Sequence, residues 1–98
     1  MNDIQSEKQI MRLFQAITLT ETSEECASFF EDLCTMQEIR AMAQRLEVAE
    51  LLLQNHVYTD IEKATGASSA TISRVSRFLQ YGADGYKNII QKLTKTEE

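Results

Sequence analysis

Between Tyr58 and Tyr81 the chain reads YTDIEKATGASSATISRVSRFLQY, and a single glycine, Gly66, splits this stretch into two short patterned runs. The protein has no proline, and glycine occurs only at 66, 82 and 85. Gly66 is therefore the one residue in the stretch that takes a left-handed backbone without a steric penalty, as a helix terminator must. Before it, Thr59 and Glu62 have capping-box spacing, with a start one or two residues earlier also open. Ile61 and either Ala64 or Thr65 are predicted to face inward. After it, Ser68 or Ser69 is placed to cap a second helix. Ile72, Val75 and Leu79 recur at i, i+3 and i+7, with Phe78 beside them, and make one apolar stripe. Gly82 ends the run. The prediction is two helices joined by a tight turn at Gly66-Ala67-Ser68, a helix-turn-helix.

The face opposite that stripe carries Ser69, Ala70, Ser73, Arg77 and Thr71. Small, hydroxylated and cationic side chains suit close approach to base edges and phosphates. Ser69, Ala70 and Ser73 are expected to read bases, and Lys63, Ser68, Thr71 and Arg77 to hold phosphates. The competing reading is an ordinary helical hairpin with a polar outer face. Glu62, where such motifs usually carry a small residue after Ile61, favours that alternative.

The rest of the chain also reads as helix. Asp3 to about Leu19 carries an apolar stripe of Ile10, Leu13, Phe14 and Ile17. Thr22 and Glu25 have cap spacing and open a second helix, with Cys26, Phe29, Phe30 and Leu33 inward. Thr35 and Glu38 repeat the spacing and open a long third helix to about Gln54. Met42, Leu46, Ala49 and Leu53 line one side of it, and Val48, Leu51 and Leu52 another. One thin layer of helices does not cover so broad an apolar surface, so a second subunit is expected. A central helix wrapped within one chain is the alternative. Asn55-His56-Val57 and Gly82-Ala83-Asp84-Gly85 are connections. Tyr86, Ile89, Ile90 and Leu93 mark a last short helix, with fraying from Thr94 to Glu98. The expected organisation is one domain over residues 1–98, with dimerisation helices in 1–54, the helix-turn-helix in 58–81 and a C-terminal helix in 84–94.

Composition excludes several functions. With 98 residues there is room for one modest core. No apolar run reaches membrane-spanning length, and no secretory signal pattern is visible, so a cytoplasmic protein without a membrane partner is expected. Cys26 and Cys34 lie too far apart on one helix to bridge, and read as free thiols. His56 is the only histidine, so neither a zinc site nor a catalytic triad is expected, and no cofactor is implied. The net charge is −5, but residues 1–50 hold ten acids and four bases, whereas 51–96 hold three acids and six bases. The cationic half is the half with the helix-turn-helix, and binding to phosphates needs only a local patch.

GASSATISRVSRFLQYG, preceded by QEIRAMAQRLEVAELLL, resembles the Trp repressor superfamily, and most of all its YerC/YecD-like branch. The likeness runs from the first helix to Leu93. It implies an all-α, six-helix fold with a helix-turn-helix, in which two chains interlace through their amino-terminal helices. It also implies sequence-specific binding of double-stranded DNA by a homodimer that regulates transcription. The resemblance places Thr35, Arg45 and Arg74 at the tryptophan site of the Trp repressor. Two departures stand beside them. Val75 replaces a glycine and Phe78 a serine, and both side chains are expected to fill the pocket. The loop before the helix-turn-helix is also one residue shorter. Tryptophan is therefore not expected as a ligand. The rival function is a helical protein-interaction module that no longer binds DNA, which the acidic total favours.

Overall fold

The structure, a computed structural model, describes residues 3–97. They form six helices and, among the described residues, no strand: α1 (Asp3–Thr18), α2 (Ser23–Leu33), α3 (Met36–Leu53), α4 (Tyr58–Thr65), α5 (Ser69–Tyr81) and α6 (Gly85–Glu97). The all-α, six-helix expectation holds. The chain divides into two compact units, one ending at Met36 and the other beginning at Gln37.

The second unit contains the core. Val48 and Ala49 of α3, Ile61 of α4, Ala67 of the turn, Ile72, Val75 and Leu79 of α5 and Ile90 of α6 form one buried cluster. Leu46, Leu51, Leu52 and Tyr86 pack against it. The three residues of the predicted α5 stripe are all buried, whereas Phe78, placed beside them by the sequence, is 52% exposed. At 100° per residue Phe78 lies at the edge of the stripe, and the core closes without it. From α3, Val48 and Ala49 enter this cluster with Leu46, Leu51 and Leu52 against it, whereas Leu53 stays 39% exposed.

Local chemistry sets the helix ends. Gly66 has φ +74 and ψ 5, and its N–H returns to the Glu62 carbonyl at 2.9 Å. An added Cβ would come no nearer than 4.0 Å to a neighbour, the Gln44 side chain, so the demand for glycine is one of backbone torsion. Thr65, rather than Ala64, turns inward. Its hydroxyl donates to the Ile61 carbonyl at 2.7 Å and accepts from the Ala67 N–H at 3.1 Å. Its own carbonyl accepts from Gln44 Nε2 of α3 at 3.1 Å. The start of α4 departs from expectation. The N-cap is Val57, in extended backbone and with no side-chain cap, so the Thr59–Glu62 box does not form. Helical geometry already begins at Tyr58, which places Thr59 inside the first turn, where its hydroxyl cannot act as a cap. Asn55 precedes it at φ 66, and a residue with a short polar side chain tolerates that torsion well. At the other end, α6 runs to Glu97, beyond the predicted 84–94. Its first intrahelical bond, from the Asn88 N–H to the Asp84 carbonyl, measures 3.0 Å.

The first unit is different. Thr22 caps α2 as expected, accepting from the Glu25 N–H at 3.1 Å. Phe29 and Phe30 meet edge to face with centroids 6.1 Å apart. Yet no described residue of α1 or α2 is buried. Ile10, Met11, Phe14 and Leu33 each remain about half exposed, and Leu19 is 75% exposed.

The cap of α4 yields a stability prediction. Thr59→Ala is expected to leave the unfolding free energy within about 0.5 kcal/mol of wild type, as for a surface position. Val57→Ser supplies the missing oxygen and is expected to stabilise by about 0.5–1 kcal/mol. Urea titration of both variants checks this, and a large loss on Thr59→Ala would place the cap there after all.

Candidate nucleic-acid interface

Two opposed faces of α5 define the candidate interface. Ile72, Val75 and Leu79 are buried at 0%, 1% and 7% exposure. Ser69, Ala70, Ser73, Arg74, Arg77 and Gln80 are exposed. The helix is anchored along its length, and its outer face is open to a partner.

The entry to α5 is well ordered. Ser68 is the N-cap, with its hydroxyl accepting from the Thr71 N–H at 3.1 Å and donating to Thr71 Oγ1 at the same distance. The Ile72 N–H meets the Ser68 carbonyl at 3.0 Å. Of the two serines the sequence left open, Ser68 therefore caps and Ser69 stands free on the outer face. A capped helix start still presents its remaining amides outward, where the helix dipole favours anions. Lys63 lies exposed in the last turn of α4, just before the motif's turn. Thr71 is only half-buried, but its hydroxyl is engaged with Ser68. The structure thus brings Lys63, Ser68, Ser69, Ala70, Thr71, Ser73 and Arg77 onto one motif, with Ser68 and Thr71 serving its architecture as well. Gln80 was missed by the sequence reading. Its place three residues after Arg77 and seven after Ser73 puts it on the same face, and that spacing was available as a signal.

A second feature lies on the other side of α5. A cavity of about 660 Å³ is lined by Arg45 of α3, Arg74, Val75 and Phe78 of α5, and Tyr86 and Lys87 of α6, among others. Two of the three residues suggested by resemblance, Arg45 and Arg74, share it. Thr35 belongs to the first unit. Val75 and Phe78 were expected to fill this space, and they do not. Val75 is drawn into the core at 1% exposure, and Phe78 stands as a half-exposed wall.

Comparison with known proteins places this geometry. Residues 8–94 match the Trp repressor protein family. The chain belongs to the Trp repressor family. Its relatives include YerC of Bacillus subtilis (strain 168), an uncharacterised protein 49% identical over 90 residues, covering 92% of this chain and 86% of that one. Among solved structures, a TrpR-like protein from Eubacterium eligens ATCC 27750 superposes with a TM-score of 0.88 at 45% identity, covering 95% of this chain and 96% of that one. A Staphylococcus aureus protein provisionally described as a Trp repressor gives 0.86 at 47% identity, with 89% and 87% covered. The family is one of non-enzymatic regulators, and the chain is not an enzyme. Among the described residues no helix is long and apolar enough to cross a membrane.

The capping geometry separates two adjacent serines. Ser68→Ala is expected to cost about 1 kcal/mol of stability, and Ser69→Ala a few tenths. Thermal or urea unfolding of the pair reads the difference, and equal losses would contradict the cap assigned here.

Proposed function

We propose that this protein is a sequence-specific, DNA-binding transcriptional regulator that acts as a homodimer and presents α5 to the major groove. The observation that carries the reading is the two-faced α5: Ile72, Val75 and Leu79 are locked into the core, while Ser69, Ala70, Ser73 and Arg77 are held outward behind a capped start. Helix-turn-helix proteins place such a second helix in the groove, with its first turns against base edges. Ser69, Ala70 and Ser73 would meet bases there. Lys63, Arg77 and the amides following Ser68 would meet phosphates, with Thr71 beside them.

Two features support a homodimer. The family relatives are repressor-like proteins. In addition, α1 and α2 expose Ile4, Ile10, Met11, Phe14 and Leu33 and have no buried residue of their own, an arrangement that a second chain would relieve. Residues 1–54 would then supply the dimer contacts and 58–81 the reading head, all within one domain. Two α5 helices in such a dimer would stand about 34 Å apart, one turn of DNA. A cytoplasmic location would fit a DNA-reading protein of this kind. Pairing also answers the net charge of −5, since two cationic motifs on one face act together where a single one would be weak.

Tryptophan has no part in this proposal. Phe78 stands as a half-exposed wall beside Arg45 and Arg74, where the resemblance places a serine. Isothermal titration with tryptophan and related indoles is expected to give no heat of binding. A micromolar signal would restore a corepressor to the scheme.

The regulator reading is tested by selecting duplexes from randomised sites and measuring their affinity against salt. A steep fall between low and moderate salt is expected, as phosphate neutralisation requires. Arg77→Ala is expected to weaken binding to every sequence, and Ser73→Ala to change which sequence is preferred. Failure to retain any duplex at low salt would instead favour a protein-interaction module.

A further inference from the structure

The core between α3 and the helix-turn-helix is apolar, and apolar contact is weakly directional. Val48 and Ala49 share one buried cluster with Ile61 and Ile72 and hold the motif to α3. A directional contact adds to that packing in fixing the angle at which α5 is presented.

The polar groups of the turn supply a candidate. Thr65 closes α4, so its carbonyl has no partner within the helix. The Gly66 N–H goes to Glu62, the Ala67 N–H goes to the Thr65 hydroxyl, and that hydroxyl goes to Ile61. Each of these bonds stays inside the motif. The remaining bond leaves it: Gln44 Nε2, half-buried on α3, donates to the Thr65 carbonyl at 3.1 Å across 21 residues of sequence. A carbonyl accepts only, so the side-chain amide must present its nitrogen, and the orientation of Gln44 is thereby determined. The same nitrogen lies 4.0 Å from the Cβ position of Gly66, directly at the left-handed residue on which the turn swings.

We propose that Gln44 is a positioning residue for sequence readout: its bond to the Thr65 carbonyl sets the tilt of α4 and α5 on α3, and hence where Ser69, Ala70 and Ser73 fall against base edges. This rests on the DNA-binding reading above. Phosphate contacts tolerate a small tilt, because the backbone charge is continuous along the duplex, whereas base contacts do not. Gln44 therefore acts on the ratio of specific to nonspecific affinity and only weakly on stability.

The test uses the full chain with Gln44→Met, which keeps length and loses the donor, and Gln44→Glu, which keeps shape and substitutes an acceptor. Affinities are measured at one salt concentration for the duplex selected by wild type and for a scrambled duplex of equal length. The expected result is a fall of about tenfold in the specific-to-scrambled ratio for both variants, comparable to one mismatched base pair. Affinity for the scrambled duplex should be unchanged in Gln44→Met. In parallel, residual dipolar couplings of backbone amides report the orientation of α5 relative to α3, which should rotate in both variants. An unchanged ratio, or a changed ratio with α5 unmoved, overturns the proposal. If wild type selects no duplex, the regulator reading fails by itself. The couplings then decide the positioning role: rotation of α5 upholds it, and an unmoved α5 removes it.

Discussion

The arrangement of this protein depends on a change of chain direction within three residues, Gly66 to Ser68. Two helices must end and begin there without leaving a backbone group unmet beside the buried Ala67. A left-handed torsion at Gly66 makes the change possible, and four short-range bonds complete it: Gly66 to Glu62, the Thr65 hydroxyl to Ile61, Ala67 to the Thr65 hydroxyl, and Thr71 to Ser68. Once the turn is made, Ile61 and Ile72 fall on the same side and both reach zero exposure against Val48 and Ala49. The outer face of α5 is then what remains after the inner face has been satisfied.

The two units show how unevenly the chain distributes its stability. From Gln37 onward, four helices share one core of fully apolar residues, with no buried polar or charged group among those described. Before that, α2 has a capped start and an aromatic pair, but no described residue of α1 or α2 is buried. A helix of this kind draws most of its stability from tertiary packing of its apolar face. The apolar stripe of α1 has little cover within its own unit, and the proposed dimer would supply it.

Much of this was legible in the residues. The α5 stripe, the Gly66 terminator and the Thr22 cap follow from spacing and local torsional preference, which act over a few residues and so survive in a one-dimensional record. Where the reading slipped, the competing effect was local geometry or tertiary closure. Thr59 had the correct spacing for a cap, but the helix began at Tyr58, and boundaries shift by a residue without altering the pattern. Phe78 sits at the margin of a stripe, where periodicity does not say whether the core reaches it. The cavity beside Arg45 and Arg74 stayed open because Val75 was claimed by the core.

By itself the sequence determined the helices, the Thr22 cap and the two faces of α5, because each is written in contacts no more than about a turn or two apart. It also determined kinship with the Trp repressor family, through a serine-rich turn and an arginine-spaced second helix. Only tertiary structure decided which α3 residues enter the buried cluster and that Gln44 meets the end of α4. Those outcomes depend on where residues distant along the chain come to rest, and a hydrogen bond across 21 residues leaves no periodic trace in the sequence.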